Sequence, residues 1–425
     1  MKIDEVKTDM WFKAMDSWFG MCRHMAEKPS SSKANKLYYE LYVKYYERLI
    51  SATEKGNIVV HPTSVPTEII YAMDLVPMLV TSSTWQMAYS LKMFDKVLAI
   101  AKDYGIMDET CSVHRMIGAF AFKGWFPKPV AFVYAAGGCD AFCGSSRLLS
   151  HLYDVPTYCI DTPYHYTGQD IAYLTLQLDE MVNLLEETTG RKMDWDRLKE
   201  SITIAQKQME LFQEIRELRK AVPSPMENRR AWQLNWFNWI YAGSDDGVAF
   251  FRTLRDELKE RVEKGVGVPG VEEKFRLLDL FMAPAHSFKL LDWMQKERGA
   301  NIVSETLIRY DNDVVLNPDK PLESLARKWA GGPLWNELQG TTDDVVRAAV
   351  EDAKAYKVDG AIWWDNNSCR QCGCIRMTRD GLLDKTGIPT ALVTCDIMDP
   401  AFTTYDEMKD SLAQFFELLD SRERS

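Results

Sequence analysis

The sequence predicts an α/β fold with two related parallel-sheet domains and additional helical segments. Short runs dominated by Val, Ile, Leu, Ala and aromatic residues recur along the chain, without the alternation of a half-exposed strand. Strands this apolar are buried on both faces, as in a parallel sheet covered by helices. The order of these runs also repeats. Strand, helix, strand, long insertion, strand, helix, strand occurs once before residue 168 and once after residue 270. The closing pairs match best: VAFVYAAGGCDAFC leads to DVPTYCIDTP, and GAIWWDNNSCRQC leads to GIPTALVTCDIMDP. Both halves read as Rossmann-like, with the ligand end at the carboxyl edge of the strands.

Residues 1–55 read as an N-terminal helical region with aromatic anchors at Trp11, Trp18, Tyr38, Tyr39 and Tyr45. Residues 56–167 form the first α/β domain. Its strands are NIVVH (57–61), VPMLV (76–80), VAFVYAA (130–136) and VPTYCI (155–160), with a helix over Pro66–Leu75. Residues 168–270 are rich in Glu, Lys, Leu and Gln and form a helical segment. Residues 271–425 form the second α/β domain, with strands LLDLFMA (277–283), NIVS (301–304), GAIWW (360–364) and IPTALVT (388–394) and a helix over 286–297. Trp232, Trp236 and Trp239 fall at i, i+4 and i+7, one face of a helix, and read mainly as packing.

A chain of 425 residues is too long for one ordinary core. Its 46% hydrophobic and 27% charged residues are those of a soluble globular protein. A net charge of -11 argues against non-specific binding to nucleic acid or anionic membranes. The start, MKIDEVKTDMWFKAMDSWFGMC, has no basic region followed by an apolar stretch, and no window resembles a membrane span. The expected location is the cytoplasm. Thiols there stay reduced, so the nine cysteines are expected to be buried groups, metal ligands or redox groups.

Cys139 and Cys143 follow the strand VAFVYAA as C-x3-C, after a Gly-Gly pair suited to a tight turn. Cys369, Cys372 and Cys374 follow GAIWWDNNS as C-x2-C-x-C. Aligned on the strand ends, Cys139 falls opposite Cys369, and Cys143 near Cys372. Cys111 stands alone in DETCSVHR, before a helix. Six thiols on three loops exceed what one zinc site takes. Soft thiolates in that number suit an iron–sulfur centre, with ligands from both halves meeting across the interdomain cleft. Cys159, inside a strand, and Cys22, in an amphipathic helix, read as structural. Cys395, ending a strand, is the alternative to Cys374. There is no G-x-x-x-x-G-K-[ST] and no G-x-G-x-x-G opening a helix. His61 and His114 lie on the ligand side and read as hydrogen-bonded histidines, with proton donation as the alternative. Asp161 and Asp396 follow the last strand of each half and read as caps, or as residues that orient cluster ligands.

The run DNNSCRQCGC followed by GIPTALVTCDIMDP resembles the subunits of 2-hydroxyacyl-CoA dehydratases and ATP-dependent benzoyl-CoA reductases, over roughly residues 35–420. The resemblance implies a [4Fe-4S] cubane on Cys111, Cys143 and Cys369. Cys139, Cys372 and Cys374 are surplus to that need and make the chain similar to the double-cubane cluster proteins of the same superfamily. That implies a homodimeric oxidoreductase component with an [8Fe-9S] cluster on six cysteines. Low-potential electrons would come from a separate ATP-hydrolysing iron–sulfur activator and reduce a small substrate. The N-terminal and middle helices, aromatic at Trp11, Trp18, Trp232 and Trp236, are then expected to serve dimerisation and activator docking. One alternative is a single-cubane dehydratase or benzoyl-CoA reductase subunit with a CoA pocket. Another is a non-enzymatic metal-binding or redox-sensing protein.

Overall fold

The computed structural model describes residues 3, 6–30, 32–63, 65–306, 308–310, 314–332 and 340–423, except the side chains of Trp232 and Glu423. Trp232 of the tryptophan stripe therefore lies outside the described side chains.

Eight strands lie among the described residues, in two four-stranded sheets with every neighbouring pair parallel. The first sheet holds β1 (Ile58–His61), β2 (Val76–Leu79), β3 (Ala131–Ala135) and β4 (Thr157–Ile160), in the order β2-β1-β3-β4. The second holds β5 (Phe275–Asp279), β6 (Ala300–Glu305), β7 (Gly360–Asn366) and β8 (Thr390–Cys395), in the order β6-β5-β7-β8. The orders are identical, so the repeat read from the sequence is a repeat of topology. In each sheet the chain leaves the first strand to one side and returns on the other. The switch point therefore lies between β1 and β3, and between β5 and β7, where open parallel sheets bind ligands.

One strand is displaced from its expected place. The apolar run starts at Leu277, but β5 begins at Phe275 and ends at Asp279. Arg276 pairs in register with Asn301. Its guanidinium is satisfied inside the protein by the Tyr356 carbonyl at 2.8 Å, the Ala221 carbonyl at 3.0 Å and Glu273 at 2.7 Å. An arginine whose charge meets Glu273 and whose remaining N–H groups meet carbonyls distant in sequence does not read as strand.

Helices make up most of the other described residues. Local chemistry sets several of their ends. The Ser32 hydroxyl accepts from Asn35 N at the start of Lys33–Lys55. Thr167 with Asp170, and Thr341 with Asp344, close capping boxes on Gly168–Thr189 and Thr342–Ala355. Gly299 ends Lys289–Arg298 at φ 63, where a Cβ would collide with the Glu272 carbonyl.

The chain divides into two compact units, each with one sheet: residues 1–210, 236–253 and 310–332, and residues 211–235, 254–309 and 333–425. In the first unit Trp236 stacks on Tyr42 with ring centroids 3.6 Å apart and planes 8° from parallel. Trp11, Trp18 and Trp236 are all buried there. They are core residues of this unit and present no surface for docking, which removes the reason for assigning them to partner contacts. Trp239 is half-buried. In the second unit, helix Tyr405–Glu423 lays Met408, Leu412, Phe415, Phe416 and Leu419 into a core with Phe275, Ile362, Trp364 and Val393. Among the described residues no helix is long and apolar enough to cross a membrane.

Candidate metal centre

Four of the six candidate cysteines occupy helix-start positions. Cys111 precedes helix Ser112–Phe122, and its carbonyl accepts from the amides of His114 (2.9 Å) and Arg115 (3.0 Å). Arg115 pairs with Asp108 at 3.3 Å, which ties this helix to the loop before Cys111. Cys139 precedes helix Asp140–Tyr153, and the turn into it places Gly137 at φ 101. Cys143 lies in the first turn of the same helix. Cys369 precedes the short 3-10 turn Arg370–Cys374, and Cys374 precedes helix Ile375–Thr386. Backbone amides at helix starts favour a thiolate over a thiol. Cys139 and Cys369 hold corresponding places, each opening the first helical turn after the strand that flanks its switch point.

Asn366, the last residue of β7, organises the second group. Its side-chain amide donates to the Met282 carbonyl at 2.8 Å, its carbonyl accepts from the Cys369 amide at 3.2 Å, and the Cys372 thiol donates to that carbonyl at 3.3 Å. The Cys374 thiol donates to the Gln371 carbonyl at 3.0 Å. The Cys372 thiol also lies within reach of the Cys369 sulfur. That contact holds the Cys369 pKa below the ordinary thiol value and pushes Cys372 above it. Cys374 and Cys143 are raised, chiefly by burial.

All six candidates are half-buried. Cys22 and Cys395 are fully buried. Burial pushes Cys22 up to about 12 and raises Cys395 as well. The Cys395 thiol faces the Asn366 side-chain oxygen at 3.5 Å and packs in the second core. Cys159 is half-buried within β4. Three candidate thiols lie in the first unit and three in the second. Among the described residues, no three His, Cys, Asp or Glu side chains are arranged to hold a single metal ion. In an iron–sulfur cluster each iron takes at most one protein thiolate, so the ligands are spread more widely than around a mononuclear ion. The donor set is soft sulfur in both units, which fits iron–sulfur ligation better than binding of one hard cation.

The histidines and acids near these loops divide by partner. His114 is buried, with Nδ1 2.8 Å from Ser145 Oγ and Nε2 3.8 Å from Cys139 Sγ. Burial lowers its pKa to about 3. His61, at the end of β1, is fully buried, and neither ring nitrogen has a hydrogen-bond partner. Burial lowers it to about 3 as well. Asp279 ends β5, the corresponding strand. Its Oδ1 has no partner, and burial, then Glu305, raise its carboxyl well above the usual range. Asp161 accepts from Tyr173 at 3.0 Å. Asp396 caps a turn, accepting from the amides of Met398 and Asp399, both at 2.9 Å.

Sequence reasoning passed over Asn366, Asp279 and His286, whose Nε2 lies 3.1 Å from the Asp396 carbonyl oxygen. A polar residue closing an apolar strand was the available signal for the first two.

Residues 62–419 match the family described as 2-hydroxyglutaryl-CoA dehydratase, D-component. The chain is 25% identical over 411 residues to a benzoyl-CoA reductase subunit of Thauera aromatica, covering 90% of this chain and 94% of that one. It is 22% identical over 414 residues to the (R)-2-hydroxyisocaproyl-CoA dehydratase alpha subunit of Clostridioides difficile, covering 94% and 98%. It is 23% identical over 307 residues to the lactoyl-CoA dehydratase alpha subunit of Anaerotignum propionicum, covering 69% and 70%. These relatives are named as subunits of dehydratases or reductases. With a match over most of its length, the chain belongs to the 2-hydroxyglutaryl-CoA dehydratase D-component family.

Proposed function

We propose that this chain is the iron–sulfur component of a reductase, holding a double-cubane [8Fe-9S] cluster on Cys111, Cys139, Cys143, Cys369, Cys372 and Cys374. The observation that carries the reading is that three half-buried candidate thiols lie in each unit, with Cys139 and Cys369 at matched places, each opening the first helical turn after a switch-point strand. Bound there, such a cluster supplies electrons at low potential, tuned by burial and by hydrogen bonds to sulfur. The chain's own residues would hold the thiolates, shield the site from water and provide protons, with the buried Asp279 carboxyl, whose pKa burial raises, as the candidate donor. The electron donor would be a separate ATP-hydrolysing activator, the substrate a small unsaturated or nitrogenous molecule, and the assembly a cytoplasmic homodimer.

The names of the relatives favour a second reading, a subunit of a 2-hydroxyacyl-CoA dehydratase or benzoyl-CoA reductase with a single [4Fe-4S] cubane on Cys111, Cys143 and Cys369. Iron and acid-labile sulfide per chain separate the two after anaerobic purification. About eight irons supports the double cubane, and about four supports the single cubane. None, or zinc alone, overturns both.

A further inference from the structure

His114 joins the two helix starts of the first unit that carry Cys111 and Cys139. Its amide donates to the Cys111 carbonyl at 2.9 Å, while its ring reaches Cys139. Ser145 Oγ donates to the Phe142 carbonyl at 3.3 Å, so its oxygen is free to accept from His114 Nδ1–H at 2.8 Å. With Cys139 as a thiol, the lone pair on Nε2 then accepts the S–H across 3.8 Å. Both His114 and Ser145 are more than nine-tenths buried, so water does not compete for these bonds.

A thiolate at Cys139 reverses the demand. It has no proton to give, and a lone pair on Nε2 would face its charge. Rotation of the Ser145 hydroxyl from the Phe142 carbonyl to Nδ1 selects the other tautomer. The ring takes the thiol proton at Nε2 and releases the one on Nδ1, so one proton leaves to solvent, as thiol ligation requires. The ring is neutral before and after.

We propose that His114 is a positioning residue that donates Nε2–H to the Cys139 thiolate, with the Ser145 hydroxyl setting the tautomer. The proposal rests on the reading of Cys139 as a cluster ligand. An N–H donor to a ligand sulfur stabilises the extra negative charge of the reduced cluster and raises its potential.

The test is a redox titration of the loaded, anaerobic protein, with iron counted and helicity checked by circular dichroism. His114→Ala is expected to keep its iron and show a more negative midpoint potential than the unsubstituted protein. Ser145→Ala is expected to shift the same way by less, and His114→Gln, with amide N–H groups, to recover part of the loss. Full iron with an unchanged potential in His114→Ala overturns the proposal. If His114→Ala fails to load, Ser145→Ala decides, since it leaves the ring in place, and an unchanged potential there overturns the proposal equally. A full iron load in Cys139→Ser would overturn this inference and leave a cluster on the other thiols standing. An unsubstituted protein that takes up no iron would remove the cluster reading itself, and this inference with it.

Discussion

Arg219 and Glu305 form a two-pronged ion pair inside the second unit, with Nη1 2.7 Å from Oε2 and Nη2 2.6 Å from Oε1. Arg219 is 2% exposed and Glu305 6%, and Nη2 also donates to the Ile302 carbonyl at 3.1 Å. A charge this deep is tolerable only while its partner is present. Arg219→Met is therefore expected to cost about 3–5 kcal/mol in urea unfolding, and the double replacement Arg219→Met with Glu305→Leu distinctly less. Equal losses in both would contradict this account.

The buried histidines set the acid limb of stability. His61 and His114 have folded-state pKa values near 3, lowered from 6.5 by burial. Between pH 6.5 and about 3 the unfolded chain binds more protons than the folded one, so stability falls as the pH drops through this window. The expected slope is about 1.4 kcal/mol per pH unit for each ring. His61→Leu should flatten that limb by one ring's share. It should leave neutral-pH stability the same or higher, because it removes an unpartnered polar group. Chemical denaturation at a series of pH values reads both.

Burial ranks the two claimants for the sixth cluster position. Cys395 is fully buried in the second core, whereas Cys374 is half-buried at a helix start. Cys374→Ser is expected to lower the iron load, and Cys395→Ser to retain it at some cost in stability. If Cys374→Ser keeps full iron and Cys395→Ser loses it, the assignment is reversed. If both keep it, the single-cubane reading gains.

Anaerobically purified protein is expected to be brown and to bleach in air as thiolate-bound clusters lose sulfide. Loss of visible absorbance should parallel loss of acid-labile sulfide. A colourless anaerobic preparation of intact chain that takes up no iron on reconstitution would end the iron–sulfur reading.

Local physics made much of this protein legible from its sequence. Seven of the eight strands lie where the apolar runs placed them, because most are buried along their length and so are largely apolar, although the edge strand β8 alternates buried and exposed residues. The cysteine motifs were legible for a similar reason: C-x3-C and C-x2-C-x-C each sit within one or two turns of chain directly after a strand. Tertiary structure alone decided the rest. β5 begins early because Arg276 is accommodated inside the protein by Glu273 and by hydrogen bonds to carbonyls 55 and 80 residues away. From the sequence, Trp11, Trp18 and Trp236 are expected to serve docking as well as packing, and only the packing of distant helices buries them. Cys374 and Cys395 differ in burial, which no spacing reveals. His114 meets Cys139 across 25 residues of sequence, and the Asn366 amide reaches the Met282 carbonyl 84 residues away while its backbone carbonyl receives Cys369 and Cys372. Hydrophobic periodicity and short motifs are properties of neighbouring residues. Charge neutralisation, burial and hydrogen bonding join residues that only the fold brings together.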